Sequence, residues 1–451
     1  MSRRREGGAT ANTAGVLLDR AVALVLVVAT FTAYRAIGGP TAAHQSNQPH
    51  FVLLADALLH GHLWVDPAKA ARLGDITPFE GRFYVSFPPM PALMMLPFVA
   101  RVGPGFNDAL FTVVLGAINT AVAFLLARRF NRPGLHGAIV DVPYWAAVSI
   151  ALLLGFGTVH LSASLAGTVW FTAHIVSVFF MLLYLLECCG RCRPGVAGLA
   201  LAAAFLARTP AIFAALFWLL LTLRQSRDFP WFAGQSARFA LPLVLAVGLL
   251  LAQNQVRFHH ATDFGYQSMR IAGSLKSDLQ TYGQFSPHFL DRNLKALLVT
   301  PPVVRWSAVQ DWVRASGGLL GVPHALTVPP ARSGRQFPIQ FDPFGTGLWA
   351  VSPALLIALR IPSRREVLLF GAAWLTVLVV AVPDLLYYNT GWVQYGYRFS
   401  LDFMPLLLIP VALGLRRPLP PLLRMTWIVL LIVSFASNLT GTRWFLHLPP
   451  Y

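Results

Sequence analysis

The chain has 451 residues, of which 56% are hydrophobic and 12% charged, with a mean hydropathy of +0.60. Soluble domains carry about 25% charged residues, so this composition excludes a soluble enzyme with an anchor and asks for lipid as solvent. The formal net charge of +17 falls in short clusters between apolar runs, with no long basic stripe bearing interleaved aromatics, which argues against nucleic acid as a partner.

Arg3, Arg4 and Arg5 precede a polar stretch and then an apolar run from Ala21 to Ala33. No small-x-small cleavage site follows, so the run reads as a retained first helix behind a cytoplasmic tail of residues 1–18. Apolar segments then fall at about 18–37, 107–127, 142–158, 163–186, 195–207, 210–223, 236–253, 345–360, 366–384, 400–415 and 424–440. They predict an all-α polytopic membrane protein of about eleven transmembrane helices with long outer-face loops. The transmembrane region runs from 19 to 253, with an outer loop at 38–106 that bears interfacial helices. A large outer loop at 254–344 and a C-terminal transmembrane region at 345–451 complete the organisation.

Arginine clusters set the threading. Arg128, Arg129 and Arg132, then Arg191 and Arg193, Arg224, Arg227 and Arg238, Arg360, Arg364 and Arg365, and Arg416, Arg417 and Arg424 all face the cytoplasm if 195–223 is a hairpin of two short helices. Pro210 supplies the break, because proline cannot continue the hydrogen-bonded ladder. The outer segments are then about 38–106, 254–344 and 385–399. Pro88–Val102 and Phe51–Leu59 read as helices lying at the outer interface. Cys188, Cys189 and Cys192 read as small residues at a helix end, with no histidine spaced for zinc. No phosphate-binding Gly-x-x-x-x-Gly-Lys-Ser/Thr loop is present, so ATP-driven chemistry is not expected of this chain.

The outer loops carry the candidate chemistry. Asp56, Asp66, Asp75 and Glu80 lie among His44, His50, His60 and His62 in the first loop. A carboxylate at the membrane surface can act as a general base on an acceptor hydroxyl or hold a divalent cation. Asp56 stands out because it is embedded in an apolar run and needs a partner to offset its desolvation. Arg257 opens the second loop beside His259 and His260 and suits a lipid phosphate, or simply reaches to headgroups. Tyr266 follows it. The third segment, Asp384–Asp402, holds Tyr387, Tyr388, Trp392, Gln394, Tyr395, Tyr397 and Arg398. Its aromatics fit either an interfacial belt or a sugar site. Arg208 marks the hairpin tip.

Four features together resemble the GT-C superfamily of integral membrane glycosyltransferases. Phe87-Pro88-Pro89-Met90-Pro91 at the end of the first loop is similar to the family's Pro-Pro-Leu element. Leu110–Phe130 looks like its second helix. The run from Gly198-Leu199 to Phe205-Leu206-Ala207-Arg208-Thr209-Pro210 is similar to its Gly-Leu…Phe-Leu-Thr-Lys-Gly-Pro hairpin, with Arg208 near the family's lysine. Asn254–Phe258 with Asp263–Tyr266, and Gly391–Asp402, resemble elements of bacterial members. The resemblance implies transfer of a sugar from a polyprenyl-phosphate donor to an envelope glycan, lipid or protein acceptor at the outer face of the bacterial cytoplasmic membrane. Asp56 and Asp75 are then the candidate bases. Arg208, Arg257 and Arg398 would bind the donor phosphate, and Tyr266, Trp392, Gln394 and Tyr397 the substrate. One departure is plain: the family's early-loop acid is missing from His44-Gln45-Ser46-Asn47-Gln48-Pro49-His50, so another acid must serve. Two competing readings are a transporter or flippase for a lipid-linked or anionic substrate, with His174 its clearest intramembrane group, and a non-catalytic envelope-assembly scaffold.

Overall fold

The computed structural model describes residues 2–132, 140–304, 339–391 and 393–447, with side chains from residue 15 onward. Helix α1 (Ser2–Gly38) continues the N-terminal tail directly into the first apolar run and ends in a 3-10 turn at Gly39–Ala43. The first loop folds as α2 (His50–Leu59), the short α3 (Pro67–Ala70), a hairpin of β1 (Thr77–Phe79) and β2 (Arg82–Tyr84), and α4 (Met90–Val102). Phe51, Val52, Leu54 and Ala55 of α2 are buried in one cluster with Ala92, Met95 and Val99 of α4, so this loop has its own apolar core.

Helix α5 (Asp108–Arg129) starts where the Asn107 side chain accepts from the Leu110 amide at 2.8 Å. Its basic last turn complements the helix dipole. Next come α6 (Tyr144–Phe156) and α7 (His160–Ala166), which form a pair bent by 49°, then α8 (Val169–Cys188), α9 (Pro194–Phe205), α10 (Ala215–Gln225) and α11 (Phe229–Phe258). The second loop supplies α12 (Gly273–Tyr282), α13 (Leu290–Leu298) and strand β3 (Val303–Val304), which pairs antiparallel with β4 (Ile339–Gln340). The chain finishes through α14 (Leu348–Val351), α15 (Val367–Leu386), α16 (Met404–Gly414) and α17 (Pro421–Leu446). Helices α5 and α8 are largely enclosed, while α1, α11 and α17 expose most of their apolar surface around them. Apolar helices left bare on the outside are what a lipid solvent permits.

Among the described residues, six helices are long and apolar enough to cross a membrane, or seven if the bent α6–α7 pair counts as one span. The expectation of about eleven is met in part, as a mostly helical chain with six or seven candidate spans and five shorter apolar helices. The segment at 345–360 forms only the four-residue α14 and a 3-10 turn at Pro353–Leu359. That at 400–415 divides between a 3-10 turn at Arg398–Asp402 and the eleven-residue α16. Each falls short of the ~20 residues needed to cross the hydrocarbon. The 195–223 run does turn back on itself. An added Cβ at Gly198 would sit 2.1 Å from the Phe239 carbonyl, and Trp218 stacks on the Phe239 ring at 4.2 Å. The chain therefore passes the same level of α11 going up and coming down, with Arg208 at the tip.

Candidate active site

At the hairpin tip, Arg208 leaves the helical ladder, and its fork meets Asp402 from the 3-10 turn before α16. The Arg208 Nη2 donates to Asp402 Oδ2 at 2.6 Å, and its Nε donates to both carboxylate oxygens at 3.1 and 3.2 Å. His174 Nδ1 bonds the Oδ1 of the same carboxylate at 3.1 Å, and Asp384 Oδ1 lies 3.6 Å from Arg208. Asp402 and His174 are buried, so this bidentate pair is charge-assisted and shielded from water. Among the described residues, His174 Nε2 and Asp384 Oδ2 have no hydrogen-bond partner.

Above this cluster lies a cavity of about 570 Å³ whose lining includes Asp75, Trp170, His174, Arg208, Tyr266, Tyr387, Tyr388 and Arg398. Asp75 reaches it from a turn that local chemistry fixes. Gln48 Oε1 accepts from the Gly74 amide at 3.0 Å, and His50 Nε2 meets the Gly74 carbonyl at 2.7 Å. Backbone bonds to Arg270 flank the turn on both strands, Asp75 amide to Arg270 carbonyl and Arg270 amide to Ile76 carbonyl, each at 2.9 Å. Asp75 itself adopts a left-handed φ of 48°, a conformation L-residues rarely hold without enforcement. Its Oδ2 accepts from the Trp170 indole at 2.7 Å. Burial raises the Asp75 carboxyl above the usual carboxylate range, partly opposed by the Trp170 bond and by the positive charge of Arg398.

Arg398 is the second cation. Its Nη1 donates to the Gly391 carbonyl, and its guanidinium lies 5.2 Å from the ring centres of both Phe171 and Phe399. No carboxylate comes within ion-pair distance of it among the described residues, and its Nε has no partner. Burial and the neighbouring Arg208 push it down to about 10, which leaves it charged at neutral pH. A buried cation with no counter-ion is costly, and an anionic ligand would offset that cost. Phe213, Phe285 and Val382 also line this cavity while being about half exposed on the outside of the bundle. The cavity therefore opens sideways through an apolar rim over a charged floor.

The structure brings together four of the residues given a site role by the resemblance, Asp75, Arg208, Arg398 and Tyr266, and His174, Tyr387 and Tyr388 line the same cavity. It does not bring the others. Asp56 bonds Lys69 Nζ at 3.1 Å and lies outside the cavity lining, so the partner its desolvation required is a lysine. Arg257 is buried, donating to the Val85 carbonyl at 2.8 Å and to Asn254 at 2.7 Å, so it braces the first loop instead of reaching a headgroup. Gln394 is fully buried, donating to the Phe344 and Thr390 carbonyls and accepting from the Arg398 amide. Tyr397 donates to the Asp384 carbonyl at 3.1 Å. Trp392 lies outside the described residues. Asp384 and Asp402, which bound the third segment, were given no role from the sequence, although each sits at the edge of an apolar run. Trp170 carried no sequence signal. No group of three or more His, Cys, Asp or Glu side chains is placed to hold a metal ion among the described residues.

Fold and site together define an integral, multi-pass membrane protein with a laterally open cavity over buried carboxylates and arginines. No protein-family model matches the chain, and no curated protein matches it in sequence. Two solved structures are similar to it. One is the crystal structure of ArnT from Cupriavidus metallidurans bound to undecaprenyl phosphate, with 15% identity and a TM-score of 0.48, covering 92% of this chain and 62% of that one. The other is the archaeal oligosaccharyltransferase AglB from Archaeoglobus fulgidus in complex with an inhibitory peptide and a dolichol-phosphate, with 13% identity and a TM-score of 0.43, covering 94% and 56%. The chain thus spans less than two thirds of either protein's length.

Proposed function

We propose that this protein is a GT-C-type glycosyltransferase of the bacterial cytoplasmic membrane, with its N-terminus cytoplasmic. It moves a sugar from a polyprenyl-phosphate donor to an envelope glycan, lipid or protein acceptor at the outer face. The observation that carries this reading is the cavity itself, where an arginine with no ion pair among the described residues and a buried carboxylate share a space with an apolar rim.

The chemistry follows from placement. Arg398, whose fork is only partly used, receives the donor phosphate, while the apolar rim at Phe213, Phe285 and Val382 accepts the first part of the prenyl chain. Asp75 takes the proton from the acceptor nucleophile as it attacks the anomeric carbon. The sugar–phosphate bond breaks on the opposite face, and the electron pair leaves with the polyprenyl phosphate, whose growing charge Arg398 stabilises. Arg208 spends its Nε and Nη2 on Asp402 and shapes the floor. A purified sample incubated with labelled polyprenyl-phosphate sugars tests this reading. Release of polyprenyl phosphate that depends on Asp75 is the expected result, and no release from any donor or acceptor overturns it.

A transporter or flippase is the second reading, and one observation favours it. His174, Asp402, Arg208 and Asp384 form a buried ionisable cluster with a free nitrogen and a free carboxylate oxygen, as proton-coupled carriers require. Uptake into vesicles with no bond change separates it from transfer.

A further inference from the structure

The arginine-rich end of the molecule holds a second cavity. Helix α15 runs from beside Glu366, which pairs with Arg416 at 2.9 Å, to Asp384 beside Arg208. At about 1.5 Å per residue that span sets the two ends roughly 30 Å apart. At the Arg416 end, a crevice of about 610 Å³ is lined by Asp141, Trp145, Arg417, Leu419 and Arg424 with two prolines. Arg424 lies 5.0 Å over the Trp145 ring and makes no ion pair among the described residues. Arg417 approaches Asp141 only at 4.0 Å, and both are largely exposed. One carboxylate thus faces two cations, leaving one positive charge in excess.

Along α17, Ile428 and Ile432 follow Arg424 at successive four-residue steps, and both are exposed. Residues four apart on a helix lie one above the other, so an apolar strip runs from beneath the guanidinium along the outside of the bundle. A cation pair, an indole and an apolar strip in line match the parts of a lipid: phosphate, glycerol region and acyl chain. Tryptophan is a residue of that interfacial depth, and basic pockets between helices suit acidic headgroups.

We infer that this crevice binds an anionic glycerophospholipid of the leaflet on the arginine-rich side. The phosphate lies between Arg417 and Arg424, and one acyl chain lies along Ile428 and Ile432. The site is separate from the transfer cavity and does not depend on what that cavity does. The phosphate chemistry is shared with free inorganic phosphate, and the acyl strip distinguishes the two.

Native mass spectrometry of the full chain in detergent, titrated with phosphatidylglycerol or phosphatidylcholine, tests it. The expected result is one retained phosphatidylglycerol with a preference of roughly ten-fold. That preference should be lost in Arg417→Gln/Arg424→Gln and kept in Arg364→Gln/Arg365→Gln, which removes the same charge outside the crevice. Ile428→Asn should weaken retention of the lipid. Equal losses in both double variants, no headgroup preference, or displacement of the lipid by an equal concentration of inorganic phosphate would each overturn the assignment.

Discussion

The indole nitrogen of Trp170 donates to Asp75 Oδ2 at 2.7 Å, joining the first turn of α8 to a loop 95 residues earlier in the chain. The bond fixes the carboxylate rotamer in a cavity that otherwise disfavours its charge. It also leaves the other carboxylate oxygen free for a proton. In the stretch where the family resemblance calls for an acid, Gln48 and His50 instead grip Gly74, the residue before Asp75. The early loop thus positions the carboxylate and does not supply it.

Asp75→Asn should lower transfer by about 10²–10⁴-fold, the range a positioned general base contributes. Asp56→Asn should leave it near wild type, because Asp56 pairs with Lys69 and His60 and lies outside the cavity lining. Both are read from initial rates of polyprenyl-phosphate release. The folded chain holds the Asp75 proton more tightly than the unfolded chain does, so its contribution to stability is lost as pH rises from the unfolded value through the folded one. Asparagine removes that charge and still accepts from Trp170. Asp75→Asn should therefore melt at or above the wild-type temperature at neutral pH, which separates lost chemistry from lost structure.

The acid limb of the rate profile should lie above the ordinary carboxylate range near 4, since the base works deprotonated and its pKa is raised. Trp170→Phe removes a hydrogen bond that favours the charged form. The limb should then move further up in pH, with activity regained in more alkaline buffer. A limb that stays in place while the rate falls uniformly would mean that Trp170 only packs.

The bilayer character, the hairpin at Arg208 and three further site residues were legible in the sequence because each has a local cause. Apolar length shows as runs, Pro210 breaks a ladder, and arginines between runs report sidedness. What was not legible depended on contacts between distant segments. Asp75 is set apart from Asp56 by what faces it, Trp170 and Arg398 in one case and Lys69 and His60 in the other. The rule that an acid in an apolar run needs a partner finds a surface lysine for Asp56. Applied to Asp384 and Asp402, it finds Arg208. Eleven apolar runs became six or seven candidate spans because composition does not distinguish a full crossing from a 3-10 turn such as Pro353–Leu359.

The two cavity arginines should separate in their variants. Arg208→Ala leaves Asp402 buried with only His174, and breaking such a pair costs about 3–5 kcal/mol, so its melting temperature should drop sharply. Arg398 has no carboxylate to abandon. Arg398→Gln should lower transfer by about 10²–10³-fold with a smaller loss of stability, and Arg398→Lys should recover part of the rate by restoring the charge without the fork. Paired melting and rate measurements read both. Equal destabilisation of the two would remove Arg398 from the phosphate role.

Sidedness has the widest reach, because α11 must carry the chain from the arginine-rich end to the cavity end for Asp75, Tyr266 and Arg398 to share one aqueous compartment. Cys188 and Cys189 are buried, so a Cys192→Ser background keeps unwanted labelling low. On it, His259→Cys and Lys295→Cys, both at exposed side chains, should react with a membrane-impermeant maleimide in intact cells. Arg364→Cys should react only after permeabilisation, since basic clusters are retained in the cytoplasm. Labelling of either variant only after permeabilisation would place the second loop, and Tyr266 with it, on the arginine-rich side, and the sugar-transfer reading would fall with it.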